Sequence, residues 1–132
     1  MTTWLTATAV AVLLTASPPA AQSQSLLAND YFEGCELAFG LGASGDSGAL
    51  SAGQQLAVSA CLGFVDGANS ALTAVDAELA QSSGELLCAD RRPSNLDALS
   101  IWVGYLQDYP IQLSADAFTS FLRAMQEAYP CP

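Results

Sequence analysis

The chain contains four cysteines, and their spacing limits the chemistry that they can perform. They lie at positions 35, 61, 88 and 131. A zinc site normally uses closely spaced pairs such as C-x-x-C, and this chain contains no such pair. If the chain is exported, an even number of cysteines predicts two disulfides. Three pairings are open, and we prefer Cys35–Cys61, joining two neighbouring helices, with Cys88–Cys131, tying a loop to the C-terminus.

The composition excludes several kinds of catalytic site. The chain contains no histidine and no lysine, and its three basic residues are Arg91, Arg92 and Arg123. Ser-His-Asp and Cys-His catalysis, Schiff-base chemistry and a P-loop all require residues that are absent. The thirteen acidic residues offer paired carboxylates, but acidic residues on helix surfaces are usually only solvated. We therefore expect that the chain is not an enzyme and that it binds no cofactor and no metal.

The formal net charge of −10 indicates which partners the surface accepts. Such a surface repels nucleic acid and anionic lipid and attracts a basic partner, so we expect neither nucleic acid nor a membrane. Acidity alone does not identify the partner. Arg91 and Arg92 follow Cys88 in a polar connection. Pairing with nearby acids is their expected role, and contact with a ligand carboxylate is the alternative.

The N-terminal segment has the pattern of a secretory signal peptide. The apolar run "WLTATAVAVLLTA" precedes "SPPAAQSQS", a zone of small residues suited to cleavage, although no positive charge precedes the run. A transmembrane anchor is the rival interpretation, but the run covers about 13 residues where a spanning helix needs about 20. We expect a signal peptide over 1–22 that is cleaved near 21–23. The remaining domain, over 23–132, is expected to be periplasmic and not attached to the membrane.

The mature chain has helical periodicity and little strand pattern, so we predict an all-α fold. The expected architecture is a compact four- to five-helix domain with a long central helix, held by two disulfides. Four helices are predicted, and the first ends where "GLGASGDSG" begins. Ser94 is the predicted cap of the third helix, with Asp97 three residues later, and Ser114 is the predicted cap of the fourth. Their approximate ranges are 26–39, 52–79, 94–110 and 114–130.

The central helix carries two apolar faces and two unexpected glycines, Gly63 and Gly67. Glycine weakens a helix interior by about 1 kcal/mol relative to alanine, so a packing reason is expected. The first face resembles an ordinary core stripe. The second face is made of smaller residues, namely Leu56, Ala60, Gly63, Gly67 and Ala74. We predict that a second neighbour approaches closely at Gly63 and Gly67, so that Gly67→Leu would destabilise the fold or a dimer by overpacking the contact.

A set of short elements in a fixed order carries a family resemblance. A cysteine in the first helix is followed by "CLGFVDG", then "LLC", "YLQDYP" and the closing "AYPCP". Together they resemble the Rap/Tai immunity proteins (type VI amidase immunity) over residues 26–132. All four cysteines, with Gly63 and Gly67, match structural positions of that family.

The resemblance implies a small exported helical protein that binds peptidoglycan amidases secreted by the type VI system. Its members block the amidase active-site cleft in the periplasm and commonly act as dimers. We therefore expect a non-catalytic inhibitor whose partner is a basic amidase effector, with a homodimer as a further expectation.

Partner contacts do not transfer within this family, so they are chosen here from the sequence. The candidate residues are Trp102, Arg91 and Asp46, and the candidate segments are 40–51 and 80–93. The alternatives are a small acid-responsive periplasmic chaperone and an envelope module with no amidase partner.

Overall fold

The computed structural model of the protein describes residues 25–45, 50–82 and 84–132. Within them the chain forms four α-helices and a short 3-10 helix, and no strand. The helices are α1 (Asn29–Ser44), α2 (Ala52–Ala80), α3 (Asn95–Asp108) and α4 (Ala117–Ala128), with the 3-10 helix over Pro110–Ser114. The predicted all-α fold with a long central helix is confirmed. The predicted signal peptide lies outside the described residues.

The first helix continues through the glycines at which its end was predicted. The expected end was Phe39, but α1 runs on through Gly40 and Gly42. The helix stops at Gly45, whose φ is 69° and whose N–H donates to the carbonyl four residues earlier. A left-handed backbone suits glycine far better than any residue with a side chain, so this glycine ends the helix.

The residues before α1 pair with the segment before α4 instead of extending the helix. Ala28 donates its N–H to the carbonyl of Ala115 at 2.9 Å, and Ala117 donates to the carbonyl of Leu26 at 2.8 Å. This short antiparallel pairing takes up the backbone groups that a longer helix would have used. α1 therefore begins at Asn29, three residues later than predicted.

One of the two predicted helix caps is correct. Ser94 and Asp97 form a capping box at the start of α3, because each side chain accepts the other residue's backbone N–H at 3.1 Å. The prediction that Ser114 caps α4 is wrong. Ser114 ends the 3-10 helix, and Asp116 is the cap because its carboxylate accepts the N–H of Thr119 at 2.9 Å.

Both disulfides join the cysteines that the sequence analysis prefers. Cys35 in α1 is bonded to Cys61 in α2, with their Cα atoms 5.2 Å apart. Cys88, in the loop before α3, is bonded to Cys131 at the C-terminus, with a Cα separation of 4.9 Å. The first bond fixes a helical hairpin, and the second fixes the long loop to the end of the chain.

The central helix buries one face and not two. The predicted second neighbour is absent from the described residues: Leu56 is 73% exposed, and a Cβ added at Gly63 or Gly67 would meet no atom within 4 Å. The glycine that permits a close helix approach is Gly34 in α1, where a Cβ would collide with the backbone carbonyl of Ala57. No described helix therefore packs closely against Gly63 or Gly67, and their role in a dimer contact stays a prediction.

The length and composition of α2 would also suit a membrane-spanning helix. Its most apolar window of 18 residues has a mean hydropathy of 1.3, and 28% of that window is buried inside the protein. This is weak support for a membrane span, because the core helix of a soluble protein passes the same test. The apolar face made by Cys61, Val65 and Leu72 is already used by the core.

Candidate partner-binding surface

Trp102 lies at the centre of the core and cannot contact a partner. Its side chain is fully buried, and its indole N–H donates to the hydroxyl of Ser120 at 3.0 Å. The centroid of its ring lies 4.8 Å from the ring centroid of Phe64 and 5.8 Å from that of Phe121. The prediction of a partner-facing tryptophan is therefore wrong, because α3 turns this residue inward to fill the space among the other helices.

Arg91 is exposed in the loop between α2 and α3, beside the start of α3. The Ser94 hydroxyl and backbone N–H lower the pKa of Asp97 below its usual value, and the positive charge of Arg91 lowers it further. This effect of Arg91 is the smallest of those acting on Asp97, and the predicted pairing of Arg91 with an acid stays a prediction. Its neighbour Arg92 contacts the hydroxyl of Ser70 at 3.4 Å. Asp46, the third candidate, lies outside the described residues.

Two polar side chains of α2 fix the loop that carries Arg91. The carboxylate of Asp76 accepts the backbone N–H groups of Leu86 and Leu87. The buried amide of Asn69 donates to the carbonyl of Pro93 at 3.1 Å, and also to the side chain of Asn95. A buried amide satisfied in this way holds the backbone firmly, so the loop presents Arg91 from a fixed position.

An apolar pocket opens between the C-terminal half of α1 and the start of α3. We call it the α1–α3 pocket, and its volume is about 240 Å³. Its lining consists of Ala38, Phe39, Gly42, Ala43, Leu96 and Leu99. None of these residues is charged, and two large side chains at its edge remain exposed, Phe39 at 46% and Leu96 at 69%.

Helical periodicity alone could not reveal this pocket. Phe39 repeats with Cys35, and Leu96 repeats with Leu99, so both were expected to face inward. Leu96 lies in the first turn of α3 and Phe39 lies in the C-terminal half of α1, and no neighbouring element fully covers either side chain. The available sequence signal was Gly42, because a glycine in a helix leaves the space that a side chain would fill.

A second groove, of about 450 Å³, runs along the other side of the same part of α1. It combines apolar residues, including Leu37 and Leu41, with the carboxylates of Glu33 and Glu36. Glu36 accepts a hydrogen bond from the amide of Gln107 at 3.1 Å, which fixes one carboxylate beside α3. The last turn of α1 contains no basic residue to offset the negative end of the helix dipole.

The polar groups of the described part of the chain show no grouping suited to metal binding. No cluster of three or more cysteine and acidic side chains lies close enough to hold an ion in residues 25–45, 50–82 and 84–132. Tyr109 donates its hydroxyl to Glu127 at 3.1 Å, and this carboxylate raises the pKa of the phenol.

The fold and surface define a small, all-helical, disulfide-linked protein with one uncharged apolar pocket and one groove that carries acidic residues. The family described as Rap1a immunity proteins matches residues 17–131, which is nearly the whole chain. The chain belongs to this family. Membership supports an immunity role in general and the binding of a cognate effector. Neither the comparison with curated proteins nor the comparison with solved structures found a match.

Proposed function

We propose that the mature protein is a periplasmic, non-catalytic inhibitor of a peptidoglycan amidase delivered by the type VI system. The match to the Rap1a immunity proteins carries this proposal, because it covers residues 17–131 in one stretch. Two disulfides are consistent with an oxidising compartment, and the predicted leader would deliver the chain there.

Inhibition would work by covering the catalytic cleft of the amidase. Inhibition of this kind requires no catalytic residue in this chain, because a rigid surface that fills the cleft keeps the substrate out. The C-terminal half of α1 and the loop before α3 are the surfaces we assign to this contact. Both have exposed residues, the Cys35–Cys61 bond joins the first half of α1 to α2, and Asn69 and Asp76 hold the loop.

The acidic surface would speed the encounter with a basic amidase. The chain carries thirteen acidic residues against three arginines, so a cationic enzyme is attracted over about a Debye length, roughly 8 Å at physiological salt. The association rate should therefore fall as salt rises, while the dissociation rate changes little.

A homodimer is a separate part of the proposal, because members of the family commonly act as dimers. The measurement is the mass in solution by light scattering over a range of protein concentrations. A monomer mass at every concentration would remove the dimer without affecting the inhibitor role.

The direct test mixes the purified mature protein with each peptidoglycan amidase encoded in the same genome. Calorimetry measures binding, and release of stem peptides from peptidoglycan measures inhibition. We expect at least one amidase to bind and lose activity, whereas a basic protein of unrelated fold, such as cytochrome c, should not bind at physiological salt. Failure to bind or inhibit any amidase would overturn the proposal.

A further inference from the structure

A pocket lined by two tyrosines opens between α3 and α4. We call it the tyrosine pocket, and its volume is about 300 Å³. We propose that it binds the guanidinium group of an arginine side chain on the surface of a protein partner. None of its lining residues belongs to the surfaces assigned to the amidase, so this proposal goes beyond the proposed function and does not depend on it.

Two phenol rings supply aromatic surface for a cation. The rings of Tyr105 and Tyr109 both line the pocket, and their centroids lie 4.9 Å apart with the ring planes tilted by 47°. An aromatic ring attracts a cation that lies within about 6 Å of its centroid, and a planar guanidinium group also stacks on the ring. A Cβ added at Gly104, which lines the same pocket, would meet no atom within 4 Å, so space for the cation remains.

Negative charge lies within the lining of the tyrosine pocket. The carboxylates of Asp108 and Glu127 both belong to this lining. Glu127 accepts the hydroxyl of Tyr109 at 3.1 Å, and a carboxylate that accepts one hydrogen bond can accept others. This hydrogen bond raises the pKa of Tyr109, and the charges of Glu127 and Asp108 raise it further, so both acids act at the position of the ring.

Two helix ends add to this negative charge. Asp108 is the last residue of α3, Ala128 is the last residue of α4, and both line the pocket. The C-terminal end of a helix carries roughly half a negative elementary charge. Neither helix has a basic residue in its last turn to offset it. The electrostatics of the pocket therefore favour a cation.

The pocket receives no cation from its own lining, which contains no basic residue. Arg123 of α4 contacts the side-chain oxygen of Gln112 at 3.4 Å and is not part of the lining. A guanidinium group fits better than an ammonium group, because its planar fork of donors pairs with carboxylates while its face stacks on a phenol.

The lining favours an arginine of another protein over free arginine. Free arginine also carries a carboxylate, and the lining offers two acids and no base to receive it. Tyr109 is 44% exposed, so the pocket opens at the surface, where a side chain of a partner can enter.

The test titrates the mature protein with N-acetyl-arginine amide at physiological salt and follows backbone amide signals by NMR. N-acetyl-citrulline amide is the uncharged control of the same shape, and N-acetyl-lysine amide carries the same charge on an ammonium group. We expect saturable signal changes at Gly104, Asp108 and Glu127 with the arginine compound, weaker changes with the lysine compound and none with the citrulline compound. Equal changes with lysine or citrulline, or changes spread over all acidic parts of the surface, would overturn the site.

Free L-arginine distinguishes the two sources of the guanidinium group. Its carboxylate should be repelled, so we expect it to bind no more tightly than the blocked compound. Tighter binding of free L-arginine would assign the pocket to a small molecule and overturn the assignment to a protein side chain.

A variant that fills the pocket tests its location. Gly104→Leu places a side chain in the pocket, and Gly42→Leu is the matched control. Both glycines lie in helices, and an added Cβ at either would meet no atom within 4 Å. The changes caused by the arginine compound should be lost in Gly104→Leu and kept in Gly42→Leu. The same response in both variants would overturn the location.

A second variant removes charge without adding volume. Glu127→Gln keeps an oxygen for the Tyr109 hydroxyl, and Glu33→Gln makes the same change at an exposed glutamate outside the pocket. We expect loss of the arginine-dependent changes only in Glu127→Gln. Equal responses of the two glutamine variants would contradict the proposal, even if Gly104→Leu failed to fold.

Discussion

At the scale of single residues, Gly34 decides how closely α1 and α2 approach. It lies in α1 beside Cys35, and any side chain there would meet the backbone carbonyl of Ala57. The contact lies between the backbones of α1 and α2, so a side chain there could be accommodated only if one helix moved. The Cys35–Cys61 bond holds the two helices at this separation. Glycine at this position is required by packing, in contrast to Gly63 and Gly67, which face open space.

Substituting Gly34 and Gly63 by alanine should therefore have opposite effects. Gly34→Ala should lower the free energy of unfolding by about 1–3 kcal/mol, because it overpacks the contact with Ala57. Gly63→Ala should raise it by up to about 1 kcal/mol, because alanine favours an exposed helix interior. Urea denaturation of both variants checks this, and similar effects at the two positions would contradict the assignment.

The hydrogen bond between Trp102 and Ser120 gives a second residue-scale prediction. Ser120→Ala would leave a buried indole N–H without its acceptor, so we expect a loss of about 1–3 kcal/mol. Ser59→Ala is the control, because its exposed hydroxyl bonds only to a carbonyl within α2. Removal of the predicted leader leaves Trp102 as the single tryptophan, so its fluorescence reports unfolding directly. Equal losses at both serines would contradict this.

At the scale of elements, the start of α3 depends on the charge of Asp97. The pKa of Asp97 is lowered in the folded protein, so its contribution to stability is complete above its usual pKa of 3.8 and is lost as the pH falls through the lower folded value. The unaltered protein should therefore lose stability below about pH 4 more steeply than Asp97→Asn.

The check on this prediction is the melting temperature as a function of pH between about pH 5 and pH 2. Asp90→Asn serves as the control, since it makes the same charge change in the loop outside the capping box. If both variants follow the same pH profile, the capping box is not the source of the effect.

The elements also show where sequence reasoning succeeds. The Ser94 capping box and the apolar repeats of the helices are local signals, so the sequence predicts four helices. A helical wheel shows which residues share a face, but not how many neighbours that helix has. The open face with Gly63, the buried Trp102 and the exposed Phe39 all depend on tertiary placement, which the periodicity does not contain.

At the scale of the whole molecule, the Cys88–Cys131 bond holds the periphery together. It closes a span of 43 residues, and chain entropy alone gives it about 4 kcal/mol. The backbone bond from Cys88 to the carbonyl of Tyr129 lies beside it, whereas the Cys35–Cys61 bond lies in the core. The two bonds should therefore stabilise different parts of the fold.

Replacing Cys88 and Cys131 together by serine should release the loop before α3 and the C-terminus first. Hydrogen exchange should show faster exchange near Leu86 and Cys88, while amides around Val65 and Leu72 lose protection only through the overall fall in stability. Replacing Cys35 and Cys61 by serine is the comparison, and it should expose the α1–α2 hairpin instead. Uniform loss of protection in both variants would contradict this division.

The central claim is that this chain protects a cell from a peptidoglycan amidase. The most direct measurement is the growth of cells that export such an amidase, encoded in the same genome, to the periplasm, with and without the full-length chain. An inactive amidase and a chain lacking residues 1–22 serve as controls. The account predicts growth with the full-length chain and lysis without it or without its leader. Lysis of cells in which the full-length chain is present and folded in the periplasm would contradict the account.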